Sequence, residues 1–386
     1  MEKKIVLNNF IEIPDLKFNS KDLGIISNKP YDNAALIKTD KPLDQTPICL
    51  KVSLNQAPLT IYNYISEQKI KYKIDSIELI DTPFFTKTYA QYEVNLLVIL
   101  QMLKDRNISH ISLHVDIYLN EVLTNIKKYK GLINYLDVSI YGTCVKENSS
   151  LVPLLTYKVN IETLTQNINI LKNNDIDLSI EVKSSCEPIS GITNTLGSVL
   201  WLLDFLFQIS FAKVKRMFVN MEDINNKFAF DLFKKATNND VSFMNFTMET
   251  NVMPNISVYS TRSLSNQFII IIHKDDVLEE VVFDIDIAVN TNATVTYLMN
   301  SETITGTQTI QTKEEIINSL KNIKIKKHTA VMIQIPFMAG GAFFSTINDE
   351  DEQNAYVTLR PEANEYDSIP TTMTIEEFKK NYQPYM

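Results

Sequence analysis

The sequence predicts an α/β protein: a (β/α) TIM-type barrel, then an all-β sandwich domain and a C-terminal arm. Three observations carry this. From about residue 46 to 220, strand-like apolar runs alternate with segments of helical periodicity, the pattern of a parallel α/β layout. From Val241 onward short strands dominate, separated by turn-forming residues. Between the two, Asp175 to Glu222 sets a carboxylate, Glu181, at the end of a strand, then a loop rich in Ser, Cys, Pro and Gly, then a helix. A β/α barrel keeps its chemistry at such strand ends.

The elements follow in order. Ile5–Leu7 and Phe10–Ile13 read as short strands, Asn19–Lys29 as loop and Thr46–Leu54 as a buried strand. Thr60–Lys71 is a helix of mixed periodicity, and Asp75–Ile80 a strand stopped by Thr82-Pro83. Tyr89–Lys104 is helical, with Val94, Leu97, Val98, Leu100 and Met102 in or near one stripe. Strands at Ile108–Val115 and Leu136–Tyr141 and helices at Tyr118–Lys128 and Ile161–Asn173 continue the alternation. The strand Ile176–Ile180 leads to a helix capped by Thr193 or Asn194, with Leu196, Val199, Leu200, Leu203, Leu206 and Phe207 at helical spacing. Lys213–Val219 is a strand and Met221–Thr237 a helix. Strands at Ser257–Tyr259, Phe268–Ile272, Val281–Ala288, Ala293–Leu298 and Thr329–Ile335 make the sandwich, with the four isoleucines 269–272 in its core. The expected division is 1–45, an N-terminal segment adding strands to the barrel or sandwich; 46–237, the barrel; 238–336, the sandwich; and 337–386, a C-terminal extension. The extension holds an acidic loop, Asp349–Glu352, and a capping box, Thr374-x-x-Glu377, for a terminal helix.

Composition excludes several classes. Of 386 residues, 45% are hydrophobic, too many for a disordered chain. The net charge of −9 and the absence of a basic stripe argue against nucleic acid as a partner. Three widely spaced cysteines, Cys49, Cys144 and Cys186, suit neither a disulfide framework nor zinc. Cys144 and Cys186 fall on loops and read as free thiols. His110 and His114 lie four apart on an alternating strand, about 13 Å from one another, and are not expected to share a metal. No Gly-rich phosphate loop or nucleophile elbow occurs, and no cofactor is expected. No apolar run is long enough for a membrane span, and the opening MEKKIVLNNF lacks the apolar core of a signal peptide, so an intracellular location is expected. Only eight glycines are present, few for a barrel with tight catalytic loops.

Thr193–Ser210, TNTLGSVLWLLDFLFQIS, resembles the signature helix that follows the nucleophile in the heparanase and β-glucuronidase family of glycoside hydrolases. The single tryptophan, Trp201, falls at the family's position, and Glu181-Val182-Lys183-Ser184 partly reproduces the Glu-x-Asn-Ser nucleophile motif. The strand Ile269-Ile270-Ile271-Ile272-His273-Lys274-Asp275 is similar to a sandwich strand of the family ending in Asn-Lys-Asp, and Ala330–Pro336 to its last strand. The resemblance covers about 46 to 336, and the tail lies beyond the family's usual end. It implies a retaining mechanism, which needs two carboxyl groups roughly 5–5.5 Å apart. Glu181 takes the nucleophile position. The family's acid/base glutamate falls on Thr82 in Ile77-Glu78-Leu79-Ile80-Asp81-Thr82-Pro83, and a hydroxyl cannot act as an acid of matched pKa. Glu78 shares a strand face with position 82 but lies about 13 Å down the strand, a poor substitute. A family His-x-Tyr falls on Ser139-Ile140-Tyr141, and a second His on Asn220; Lys183 replaces the Asn of the nucleophile motif. The family also has more chain before the acid/base segment, so the barrel is expected to be truncated or degenerate, its first strands missing, abbreviated or rebuilt from 1–45.

Three functions follow as expectations. The first is a catalytically inactive glycoside-hydrolase-like protein with a structural, self-assembling or binding role, Glu181 vestigial and the tail pairing with other copies. The second is an active retaining glycosidase for glucuronide or heparan-type glycans, its acid drawn from Asp81, Asp116 or Glu222. The third is a non-catalytic carbohydrate-binding protein whose cleft uses Tyr141, Ser139, Asn220 and Lys183.

Overall fold

The computed structural model describes residues 4–336 except 19–22, 28, 30–34, 41–46, 81–87, 116–117, 144–151, 157, 186–190, 193, 222–224, 239, 251–254, 288–291 and 301–309; beyond these it describes the backbone of 356–358 and 372–374. Residues 1–336 form one compact unit and 337–386 a second.

Eight parallel strands close into a barrel: β2 (Leu23–Ile26), β3 (Ile37–Thr39), β4 (Ile48–Ser53), β5 (Ile74–Ile80), β6 (Ile111–His114), β7 (Tyr135–Thr143), β8 (Asp177–Ser185) and β9 (Arg216–Asn220), with β2 paired to β9. The barrel is therefore complete, not truncated. The stretch read as loop at 19–29 contains β2, and the 1–45 region supplies both β2 and β3. Strands of four and three residues are too short to show an alternation of their own.

Helices α1 (Pro58–Lys71), α2 (Tyr89–Asp105), α3 (Leu119–Thr124), α4 (Val152–Thr156), α5 (Ile161–Lys172), α6 (Leu196–Phe211) and α7 (Asn226–Thr237) connect strands from β4 onward or follow the last. Thr88 caps α2 in a capping box with Gln91. Thr195, rather than Thr193 or Asn194, caps α6: its side chain accepts from the Ser198 N–H, while Asn194 accepts from Gly191 N–H. Residue 193 lies outside the described residues.

Nine strands make the second sheet, in the order β15-β14-β17-β12-β11-β10-β1-β13-β16: β1 (Lys4–Phe18), β10 (Val241–Thr250), β11 (Ile256–Arg262), β12 (Asn266–His273), β13 (Glu280–Ile285), β14 (Ala293–Asn300), β15 (Ile310–Ile317), β16 (Ile323–Lys326) and β17 (Thr329–Pro336). The sheet curls so that β16 approaches β17 and encloses its own core. The N-terminal β1 is a central strand, antiparallel to β10 and parallel to β13. Its pairing with β10 slips between Asn8 and Ile11 and between Glu12 and Lys17. Asn9 and Asp15 take φ of 54° and 59° near these bulges, a conformation that Asn and Asp tolerate best among residues with a side chain.

The four isoleucines of β12 do not share one core. Ile269 and Ile271 lie inside the curled sheet with Val281, Phe283 and Ile333, whereas Ile270 and Ile272 face the barrel with Phe207, Phe233 and Tyr259. Successive strand residues point to opposite faces, and both faces are covered. The covering also explains α6, which is buried nearly all round: the barrel lies on one side and the sheet on the other.

In the C-terminal unit, β18 (Tyr356–Thr358) pairs antiparallel with β19 (Thr372–Thr374). Thr374 ends that strand; the helix expected after it and the acidic loop at Asp349–Glu352 lie outside the described residues.

Candidate functional site

Barrel strands alternate between residues facing the helices and residues facing the axis. Barrel interiors are commonly filled by branched apolar side chains. Here the axis-facing positions hold Lys38, Cys49, Lys51, Ser76, Glu78, Ser112, His114, Asp137, Ser139, Ser179, Glu181, Lys183 and Arg216, with Phe218 the main apolar side chain among them. Neighbouring strands keep the same parity: Glu78 pairs with Ser112, His114 with Asp137, Asp137 with Ser179, Ser139 with Glu181 and Glu181 with Phe218.

At the centre stands Lys38 on β3. Its side chain is fully buried, and its ammonium reaches three carboxylates from three strands: Glu78 at 2.7 Å, Glu181 at 3.2 Å and Asp137 in direct contact. The same ammonium lies 4.1 Å from the centre of the Phe218 ring. Glu181 is held from the outer side as well, by Lys51 at 3.0 Å and Lys183 at 3.1 Å. Ser139 Oγ lies 3.4 Å from Glu181 Oε2 and 3.4 Å from His114 Nε2. The other ring nitrogen of His114 faces Glu78 at 3.4 Å and Asp137 at 3.3 Å.

The electrostatics divide the carboxyl groups. Burial alone would raise all of them, but the ammonium groups around Glu181 hold its carboxyl well below the usual range. Asp137 is likewise held low against its burial, by Lys38 first. Glu78 goes the other way, raised by burial and by the neighbouring Asp137. Attraction from the three acids keeps Lys38 charged despite full burial. Cys49 beside the cluster is pushed up to about 12, chiefly by burial, so its thiol is not a nucleophile.

The residues expected at the site fall as follows. Glu181, Ser139 and Lys183 are together. Tyr141 lies one step outward on β7, its ring 5.5 Å from the Lys183 ammonium. Asn220 ends β9, half-buried, and its backbone carbonyl accepts from Asn226 Nδ2 at 2.7 Å. Thr82, Asp81, Asp116, Glu222, Cys144 and Cys186 lie outside the described residues. Glu78, set aside for its distance from position 82, stands beside Glu181: acceptor or donor atoms of Glu78, His114, Asp137 and Glu181 all lie within 4.8 Å of one another. Distance measured along one strand ignores the stagger between tilted strands, which brings the Glu78 level round to that of Glu181. His110 is exposed and apart from His114. The four clustered side chains are of types that bind metal ions, but the Lys38 ammonium supplies the cation to this set. Sequence reasoning missed Lys38, Lys51 and Asp137 entirely.

Gly142 and Trp201 fix the end of β7. A Cβ on Gly142 would stand 2.5 Å from Leu154 Cδ2 and 2.7 Å from Trp201 Cε2, so only glycine lets α6 and α4 close on the strand. Three residues along α6, the buried Asp204 takes Lys274 Nζ at 2.5 Å, Tyr259 Oη at 2.6 Å and Gln208 Nε2 at 2.7 Å. This joins the two stretches on which the sequence resemblance rests, the Trp201-Leu202-Leu203-Asp204 run and the His273-Lys274-Asp275 strand end.

Solved structures place this architecture. A 4-O-α-L-rhamnosyl-β-D-glucuronidase from Fusarium oxysporum superposes with a TM-score of 0.65 at 10% identity, covering 86% of this chain and all of that one. An α-L-arabinofuranosidase from Thermotoga maritima gives 0.57 at 11% identity over 76% of each chain. A glucosidase from Croceicoccus marinus gives 0.58 at 10% identity, covering 88% of this chain and all of that one. The barrel and its companion sheet are therefore a fold that this chain shares with these three structures. No protein-family model matches the sequence, and no curated protein matches it by sequence. Within this shared fold, the cluster around Lys38 occupies the barrel axis, with Glu181 in contact with its ammonium.

Proposed function

We propose that the protein is a catalytically inactive member of the glycoside-hydrolase fold, with a structural, self-assembling or binding role. One observation carries the reading: the Lys38 ammonium sits among Glu78, Asp137 and Glu181, with all four side chains at most 1% exposed. A retaining nucleophile has to present a free carboxylate oxygen to the anomeric carbon, and its partner acid has to reach the leaving oxygen. Glu181 is instead clamped by three ammonium groups, which lower its basicity and cover its oxygens. Glu78 keeps the raised pKa that suits an acid, but it is fully buried behind Lys38.

That opposed pair, one carboxyl raised and one lowered, is also the observation favouring the second reading, an active retaining glycosidase with Glu78 in place of the family acid. Aryl β-glucuronide and aryl α-arabinofuranoside hydrolysis separates the two. The inactive reading expects no turnover above buffer; hydrolysis that disappears in Glu181→Gln would establish the active one.

A further inference from the structure

Toward the N-terminal ends of the strands, the barrel axis carries a second polar level below the Lys38 cluster. Small side chains dominate it: Cys49, Ser76, Ser112 and Ser179 are buried and face the axis. Most barrel interiors are filled at such positions by bulky branched residues. Arg216 reaches across this level from β9. Its Nη1 donates to Ser76 Oγ at 3.1 Å, its Nη2 lies 3.4 Å from both Asp75 Oδ2 and Tyr135 Oη, and its guanidinium stands 4.1 Å from the centre of the Tyr135 ring.

One register row joins the two levels. Asp137 on β7 is paired with Ser179 on β8, and Ser179 with Arg216 on β9. Each of the three has a buried side-chain atom with no hydrogen-bond partner among the described residues: Asp137 Oδ1, Ser179 Oγ and Arg216 Nε. Buried polar atoms are nearly always bonded, so three in one row call for a common partner. The row also explains why they do not satisfy one another. Neighbouring strands lie about 4.8 Å apart, so Asp137 and Arg216 start about 10 Å from each other at the backbone, and the serine between them is too short to bridge the gap. Their chemistry is mixed as well. Arg216 Nε donates, the carboxylate oxygen accepts and the hydroxyl does both. A cation would be repelled by Arg216 and Lys38, and an anion by Asp137. Water accepts on one side and donates on the other.

We propose that this row binds an internal water molecule, which accepts a hydrogen bond from Arg216 Nε, donates one to Asp137 Oδ1 and shares one with Ser179 Oγ. Three polar partners are typical of an internal water. Asp137 is then fixed at both oxygens, Oδ2 by Lys38 and Oδ1 by the water, and the ion cluster is tied to the floor of the barrel. The site is independent of whether the barrel hydrolyses glycosides.

A crystal structure of the full-length protein, at a resolution that shows ordered water, tests this. The expected result is a density peak about 2.7–3.2 Å from Ser179 Oγ and from at least one of Asp137 Oδ1 and Arg216 Nε. No such peak overturns the proposal, and so does a peak about 2.0–2.6 Å from the carboxylate oxygens, the spacing of a metal ion. Urea unfolding of Ser179→Ala, its folding checked by circular dichroism, gives a second reading. A hydroxyl bonded to water is lost at a cost, so the midpoint falls with the slope unchanged. A midpoint unchanged or raised, as the removal of an unbonded buried hydroxyl would give, overturns the proposal.

Discussion

Lys38 is the residue whose removal has the most to disturb. A lone lysine buried in a barrel would shed its proton; this one is kept charged by three acids, and the acids are kept buried by it. Lys38→Met removes the cation and leaves Asp137 without its ammonium partner, while Glu181 keeps only Lys51 and Lys183. A loss of about 3–5 kcal/mol in urea unfolding is expected, from breaking a buried ion pair on one side only. Adding Asp137→Asn to Lys38→Met should recover part of it, because the second change removes a charge the first stranded. His273 gives a second prediction. It is fully buried, Nε2 has no hydrogen-bond partner among the described residues, and burial depresses its pKa to about 4. The folded state then binds the proton less readily than the unfolded chain, whose value is 6.5. Stability is full above that value and falls as the pH drops toward 4, by about 1.4 kcal/mol per pH unit at the steepest. Thermal melts across this window should show the slope, and His273→Gln should flatten it. At this scale Glu181 stood out by a local pattern, an acid after an apolar run and before a helix, although its strand runs on to Ser185 rather than ending there. Lys38 was not: a three-residue strand shows no periodicity, and its partners come from strands 40 to 143 positions later.

At the scale of elements, α6 shows what a helix buried on every side requires. Its apolar run was readable and its N-cap was placed one or two residues early, but Gly142 drew no attention, and the sheet that covers its far side comes from strands well after it in the chain. Asp204 is the one charged residue on this helix, and its partners, Lys274 and Tyr259, belong to that sheet. Lys274→Met strands a buried carboxylate and should cost about 3–5 kcal/mol, whereas the double variant with Asp204→Leu should cost less than the sum of the singles in a double-mutant cycle. Gly142→Ala drives a methyl group into Trp201 and Leu154. A destabilisation of about 1–3 kcal/mol is expected, with a change in the fluorescence of the only tryptophan, Trp201, as the local sign. From β4 to α7 the order of strands and helices followed from alternation, apart from the five-residue α4. The short β2 and β3, and the central place of β1 in the sheet, depended on pairings that no local pattern encodes.

At the scale of the molecule, the unit 1–336 holds both the barrel and the curled sheet, and 337–386 is a unit by itself. A chain ending after Pro336 should therefore melt as cooperatively as the full chain and at a similar temperature. If the tail links copies, as proposed, static light scattering should show assembly by the full chain and a monomer after truncation.

Strand β12 ties these scales together. Its odd-numbered isoleucines belong to one interior and its even-numbered ones to another, so a shift by a single position would exchange the two sets. Neither half of 1–336 can be traded for a foreign module without rewriting this strand, because every substitution in it is answerable to two neighbours at once. Through duplication or drift, the barrel and its companion sheet must be inherited as a pair.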